Sequence, residues 1–367
     1  MKYYIIAGEA SGDLHASNLI KEIIKLEPNA DIRAWGGDKM QNAGANVVKH
    51  FKDLAFMGFY EVLINLRTIL KNISFCKKDI LEFSPDKIIF VDYPGFNMRI
   101  AKWSKKYKFQ TIYYIAPQLW AWNEKRIKKI KKYIDSLYVI LPFEKEFFET
   151  KHKYPVKFLG HPLLDSISNF KKNYDSSSEQ IITNKKAVIA ILPGSRKQEI
   201  KKILNTVIKI VDYFPDHQFI VAGAPNIKLS YYKSILKNKR IKVIENKTYE
   251  ILSISTAAIV TSGTATLETA LFKVPQVVCY KSSYFSYFIA KLIVNIKYIS
   301  LVNLIMDQQI VKELIQQDCN KDKIRYELEK ILDLNNKKSL QIKYDELTSI
   351  LGNSGTSKRV ALDIIKK

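Results

Sequence analysis

Short, wholly apolar runs alternate along this chain with longer amphipathic stretches, the rhythm of repeated strand–helix units. Runs of strand length stand at residues 3–7, 31–34, 87–91, 111–115, 137–140 and 156–159. They recur at 187–192, 219–222, 242–244, 257–260 and 276–280. Most are apolar on both faces, as strands of a parallel sheet covered by helices must be. Residues 14–26 carry helical periodicity, residues 123–133 form a basic helix, residues 142–150 a short helix, and 357–365 a helix after the break Gly352-Asn-Ser-Gly355. Residues 54–75 form a longer helical pattern whose core stripe is Phe59, Val62, Leu63, Leu66, Ile69, Leu70 and Ile73. Met57, Tyr60 and Ile64 fall off that stripe, with Arg67 and Lys71 beside them. This second apolar face implies deep burial or contact with something greasy.

At 367 residues the chain exceeds one ordinary core. Residues 169–186 are polar and rich in Ser, Asn and Lys, as a linker is. The expectation is therefore two doubly wound α/β domains, 1–168 and 187–350, facing each other across a cleft. Residues 351–367 make a closing helix.

Candidate chemistry sits at the strand ends, where such sheets place ligands. Residues 3–7 run into Gly8-Glu-Ala-Ser-Gly-Asp13, whose Gly8, Glu9, Ser11, Gly12 and Asp13 form a candidate acceptor or phosphate loop. Ser11 or Asp13 also suits a plain helix cap. Residues 87–91 end at Asp92, a candidate general base, or a turn-starting acid before Pro94. His161, in Gly160-His-Pro162, fits a structural hydrogen-bonder better than a catalyst. In the second half, 187–192 meet Pro193-Gly194-Ser195-Arg196, and 257–260 meet Ser262-Gly263-Thr264, with Glu268 one helical turn on. Strand, glycine turn and helix start together present backbone N–H groups to an anion. Arg196 adds a cation and Glu268 an acceptor for ribose hydroxyls. The set suits a nucleotide diphosphate held without a metal, since no acidic cluster of the kind magnesium requires is present.

Composition adds limits. Three scattered cysteines, Cys76, Cys279 and Cys319, fit a reducing compartment and packing roles. The opening apolar run meets Glu9 and Asp13 and is no signal peptide. The most apolar long window, 284–306, is broken by Lys291, Asn295 and Lys297, which argues against a membrane span. A cytosolic protein is expected. Net charge is +23, but it is spread over both halves, and only 8 of the 59 basic residues are Arg. A nucleic-acid binder would want arginine-rich base-reading or stacking elements, so that class is set aside. Residues 99–132 stand out locally, with eleven basic residues and one acid, Glu124.

Gly8-Glu-Ala-Ser-Gly-Asp13, Pro117-Gln-Leu-Trp-Ala-Trp122, Leu192-Pro-Gly-Ser-Arg196 and Ser262-Gly-Thr-Ala-Thr-Leu-Glu268 resemble, in order and spacing, the lipid-A-disaccharide synthases. The resemblance spans nearly the whole chain. It implies a GT-B glycosyltransferase of two Rossmann-like domains, with the C-terminal helix returning to the first. It implies inverting, metal-independent transfer of 2,3-diacylglucosamine from its UDP derivative to 2,3-diacylglucosamine 1-phosphate, with UDP as the second product. No cofactor is called for. Carried over by position, Asp92 matches the family's essential aspartate and Arg196 its essential arginine. Ser262 to Glu268 match the UDP motif and Asn303 an active-site asparagine. Gly95 departs from a second acid common in the family, and Val302 from a proline before the asparagine. The substrates imply an enzyme peripheral to the cytoplasmic face of the inner membrane, touching anionic lipid through Met57, Tyr60, Ile64, Arg67 and Lys71. Other GT-B enzymes, a peptidoglycan-type glucosaminyltransferase or a UDP-GlcNAc epimerase, would share the later turns but not Gly8–Asp13 or the tryptophan segment. Nothing in the sequence sets the oligomeric state.

Overall fold

The apolar runs become two separate, wholly parallel sheets. The computed structural model describes residues 1–53, 66–174, 186–237, 240–294 and 296–366. They divide into two units, Met1–Ser168 with Leu351–Lys367, and Asn169–Ile350. In the first unit the strands are β1 (Lys2–Ala7), β2 (Asp31–Gly36), β3 (Asn46–His50), β4 (Lys87–Val91), β5 (Gln110–Tyr114), β6 (Ser136–Val139) and β7 (Lys157–Phe158). Their order is β3-β2-β1-β4-β5-β6-β7. The second unit holds β8 (Ala187–Leu192), β9 (His217–Gly223), β10 (Ile241–Glu245), β11 (Ser255–Thr261), β12 (Gln276–Tyr280) and β13 (Lys312–Ile315), ordered β10-β9-β8-β11-β12-β13. Each order reverses direction once, at β1/β4 and at β8/β11. These are the switch points at which doubly wound sheets bind ligands.

Burial follows the two faces of each strand. Tyr3, Ile5 and Ala7 pack with Ala16, Leu19, Ile20 and Ile23 of the helix Ala10–Leu26, and with Val360, Ala361 and Ile364 of the helix Thr356–Ile365. Tyr4 and Ile6 turn to the opposite layer, against Ile73, Cys76, Ile80, Phe96 and Ile100. Each such side chain contributes about 1.5–3 kcal/mol. β8, β9 and β11 are covered the same way by Ile200, Ile203, Leu204 and Leu328.

Three expectations shift. The helical pattern at 54–75 lies partly outside the described residues; the described helix is Leu66–Phe83. Its core stripe is Ile69, Ile73, Cys76 and Ile80, spaced at helical intervals, whereas Leu70 is 53% exposed. Residues 169–173 of the expected linker belong to the helix Leu163–Asn173, and 175–185 lie outside the described residues. β3 and β13 were not visible as apolar runs because each is an edge strand with a polar half, Asn-Val-Val-Lys-His and Lys-Glu-Leu-Ile. No helix among the described residues is long and apolar enough to cross a membrane.

The C-terminal helix is tied to the first unit by polar contacts as well as by its apolar face. The Asp165 carboxylate accepts the N–H groups of Gly355, Thr356 and Ser357, capping that helix from 190 residues away. Asp363 meets Tyr138 and Lys157, and the Ile364 carbonyl accepts Lys87 Nζ. Gly160 has φ +105°, and a Cβ there would stand 2.6 Å from Thr356 Oγ1, so only glycine fits beneath the helix start. Asp165→Ala should lower unfolding free energy by about 1–3 kcal/mol, read from urea denaturation. An unchanged midpoint would mean that the cap is not what holds the helix.

Candidate functional site

Ala7 pairs with Val91, so the loops after β1 and β4 emerge side by side. Gly8 is buried beneath Tyr93, whose ring would lie 2.3 Å from an added Cβ. Asp92 and Tyr93 are both left-handed, at φ +46° and +48°. Two consecutive non-glycine residues in that region cost about 1–2 kcal/mol each and must be held there by their surroundings. The Asp92 carbonyl oxygen accepts Asn97 Nδ2 at 2.7 Å and the Tyr113 hydroxyl at 2.6 Å. This clamp turns the Asp92 side chain out of the strand end. Burial, then the nearby charge of Glu9, push its carboxyl up to about 6, opposed by the Tyr93 N–H. A carboxylate of that strength is better matched to taking a proton near neutral pH than an ordinary aspartate. Gly95 is exposed, with nothing within 4 Å of an added Cβ.

The rest of the first loop is divided in use. Glu9 occupies the N-cap of the helix Ala10–Leu26 without a side-chain cap bond, Ser11 is exposed, and Gly12 packs against Ala7. Asp13 caps a different helix. Its carboxylate accepts the N–H groups of Gly37, Lys39 and Met40 at the start of Asp38–Asn42. Buried and triply bonded, Asp13 ties the candidate loop to the start of that second helix. His161 is fully buried, accepts the Leu163 N–H, and is pushed by burial down to about 3, which fits a structural role.

The Pro117–Trp122 segment lies on the same side. Trp120 donates to Glu144, which also accepts the N–H groups of Ile140 and Leu141. Burial pushes Glu144 up to about 7 in spite of those donors. Nothing in the sequence pattern singled Glu144 out, because its partners lie on a neighbouring loop.

In the second unit Leu192 pairs with Val260, bringing both glycine turns together. Gly194 has φ +96° and Gly263 φ +147°, backbone that only glycine adopts without strain. Neither the helix Lys197–Val207 nor Thr264–Leu271 has a side-chain cap, so their first-turn N–H groups have none of their own side chains to satisfy them. Ser195, Gly263 and Thr264 are exposed beside them, as is Arg196, which meets Glu199 at 3.3 Å. Glu268 receives the Tyr249 hydroxyl at 2.9 Å, and burial raises its carboxyl. Ser262 donates to the Ile299 carbonyl at 2.6 Å, and Thr266 Oγ1 accepts the Leu301 N–H.

The family model described as Lipid-A-disaccharide synthetase matches residues 3–362. The chain belongs to the lipid-A-disaccharide synthase family. The synthase of Coxiella burnetii (strain Dugway 5J108-111) is 36% identical over 362 residues, covering 97% of this chain and 96% of that one. That of Geobacter metallireducens is 34% identical over 365 residues, covering 97% and 94%. Among solved structures, the UDP-GlcNAc 2-epimerase of Neisseria meningitidis bound to UDP-GlcNAc superposes with a TM-score of 0.65 at 13% identity over the whole of both chains. The fold shared with such neighbours is GT-B, two Rossmann-like domains.

Asn303, which the lipid-A-disaccharide synthase resemblance placed at the UDP site, sits in a dense hydrogen-bond network. Asn303 is fully buried, and its amide is saturated. Nδ2 donates to the Val311 carbonyl and Glu313, and Oδ1 accepts the N–H groups of Ile310 and Val311. Glu313 in turn accepts the N–H groups of Ile299 and Ser300. Asn303 is therefore a positioning residue for the 299–303 segment that touches Ser262 and Thr266. Val302, where the family commonly has proline, is fully buried in the helix Leu301–Met306, which Ser300 caps through the Asn303 N–H. Among the described residues no group of three His, Cys, Asp or Glu is placed to hold a metal ion. Asn303→Ala should cost on the order of 3 kcal/mol in chemical denaturation, since it strands two buried N–H groups. Wild-type stability in that variant would refute the positioning role.

Proposed function

We propose that this chain transfers 2,3-diacylglucosamine from its UDP derivative to the 6-hydroxyl of 2,3-diacylglucosamine 1-phosphate, giving lipid A disaccharide 1-phosphate and UDP. The observation that carries the mechanism is Asp92, held out of the end of β4 on a clamped left-handed backbone with its carboxyl near 6. Asp92 takes the hydroxyl proton as the acceptor oxygen bonds to C1 of the donor sugar. The C1–diphosphate bond breaks on the opposite face, the configuration inverts, and the electron pair leaves on UDP. Arg196 and the uncapped starts of Lys197–Val207 and Thr264–Leu271 neutralise the departing diphosphate, with no metal assigned a part. Glu268 takes the ribose hydroxyls, and the Ser262–Thr264 turn the phosphates.

Acylated substrates put such an enzyme at a membrane surface, by peripheral contact. Arg67 and Lys71 are exposed on Leu66–Phe83, which supports contact with anionic lipid at about 1 kcal/mol per basic residue near the surface. Met57, Tyr60 and Ile64, the proposed apolar face, lie outside the described residues.

The test is UDP release from the acylated donor. Release must require the acceptor; consumption of the donor alone would point to an epimerase or hydrolase instead. Asp92→Asn should cut turnover by about 10²–10⁴-fold while UDP still binds. Since Asp92 works ionised, kcat/KM should fall about tenfold per pH unit as pH drops below about 6, and that limb should vanish in the variant. A near-normal Asp92→Asn enzyme would remove the base. For the donor site, Arg196→Ala and Glu268→Ala should each weaken UDP binding by about tenfold or more, measured by calorimetry. Unchanged affinity in both variants would overturn the UDP assignment.

A further inference from the structure

The first unit must hold the acceptor's 1-phosphate as well as its sugar, and the proposed reaction assigns no residue to that charge. The requirement is geometrically tight. C1, which bears the phosphate, and C5, which bears the 6-hydroxymethyl group, flank the same ring oxygen. A phosphate-binding cation therefore has to stand about one pyranose ring away from the base that takes the 6-hydroxyl proton.

Residues 99–132 offer eleven cations, and the structure separates them. Lys105 is paired with Asp135, and Lys131 donates to the His152 carbonyl. Arg99, Lys102, Lys106, Lys108, Lys125, Lys128 and Lys129 are exposed on helix or turn surfaces, and exposed Lys132 lies over the Tyr133 ring at 5.9 Å. Arg126 differs in three respects. Its guanidinium lies over the Trp122 ring, 4.4 Å from the centroid. Stacking fixes the plane of the group while leaving its N–H edge in place for two parallel bonds to a phosphate. A carboxylate partner would instead have neutralised it. The one acid in the stretch, Glu124, is drawn off by Lys151 at 2.8 Å and His152 at 3.0 Å. Finally, Arg126 lies close enough to the Tyr113 hydroxyl to act on it electrostatically, and that hydroxyl is the one bonded at 2.6 Å to the Asp92 carbonyl. Arg126 and Asp92 thus both act on the same buried Tyr113 hydroxyl.

We propose that Arg126, stacked on Trp122, binds the phosphate monoester of the acceptor, and that the half-exposed Trp122 indole is its platform. The inference rests on the reaction proposed above. Trp122 is 48% exposed, which leaves part of its surface open beside the guanidinium it carries. Trp120 beside it is fixed by its bond to buried Glu144, so the segment that presents Trp122 is rigidly seated.

The experiment compares two acceptors, 2,3-diacylglucosamine 1-phosphate and its dephosphorylated counterpart, with wild type, Arg126→Ala, Arg126→Lys and Trp122→Leu. UDP release is the readout, and the melting temperature of each variant is recorded. Wild type should prefer the phosphorylated acceptor. Arg126→Ala should raise KM for that acceptor by about 10- to 100-fold and lose most of the preference. Its KM for the donor and its affinity for UDP should stay unchanged. Arg126→Lys, which keeps the charge but not the fork, should recover part of the preference, and Trp122→Leu should lose part. If Arg126→Ala, folded by its melting temperature, discriminates between the acceptors as wild type does, the assignment is wrong. An equal loss with both acceptors would also overturn it, because the residue would then be structural. Wild type inactive with either acceptor would instead defeat the underlying reaction.

Discussion

Parallel pairing of β1 with β4, and of β8 with β11, is the constraint from which the candidate sites follow. A parallel strand cannot turn back into its neighbour; it must leave the sheet at its carboxyl end through a helix. Where the strand order reverses, two such exits lie next to each other with their helices on opposite faces. Gly8 and Asp92 share one of these gaps because Ala7 registers against Val91. Ser195 and Ser262 share the other because Leu192 registers against Val260. The glycines at these exits have different causes: Gly8 is required by the Tyr93 ring that covers it, and Gly263 by its positive φ.

Loops this close together need internal ties, and buried or part-buried carboxylates supply them. Asp13 holds the start of Asp38–Asn42, Asp165 the C-terminal helix, Glu144 the turn after β6, and Glu313 the Ile299–Ser300 backbone. Each accepts two or more backbone N–H groups, which offsets the desolvation of its charge. The two carboxylates proposed for chemistry lack such a set of backbone donors among the described contacts. Among the described residues, the Tyr93 N–H opposes burial at Asp92 and the Tyr249 hydroxyl opposes it at Glu268. Their raised pKa values and their availability to a ligand have the same origin.

This distinction also explains what the sequence made legible. Sheet class, most strands and the candidate turns follow from short apolar runs that break at glycine or at a turn-forming acid, a local signal. Asp92 and Arg196 are identifiable because they stand directly at those ends. Asp13 and Asn303 look the same in the sequence, polar residues in loops of the right motif, yet the structure uses both to hold the backbone. Whether a loop carboxylate or amide faces outward is decided by donors far away in the chain, such as Gly37 for Asp13, and spacing carries no trace of them. Glu144 escaped for the converse reason: it lies outside any motif and acquires its importance from Trp120. β3 and β13 were missed because edge strands need only one apolar face.

The departure at Gly95 can be read in the same terms. A Cβ at this position meets nothing within 4 Å, so steric crowding does not exclude a side chain. What a second acid would change is electrostatic. Asp92 is already raised by burial and by Glu9, and a further carboxylate one helical position past Pro94 would raise it again. With glycine there, the carboxyl rests near 6 and remains mostly ionised at neutral pH, as a base must be. Glu9 on the adjacent loop thus already supplies the like charge that strengthens the base, and it does so because β1 lies beside β4 in the sheet.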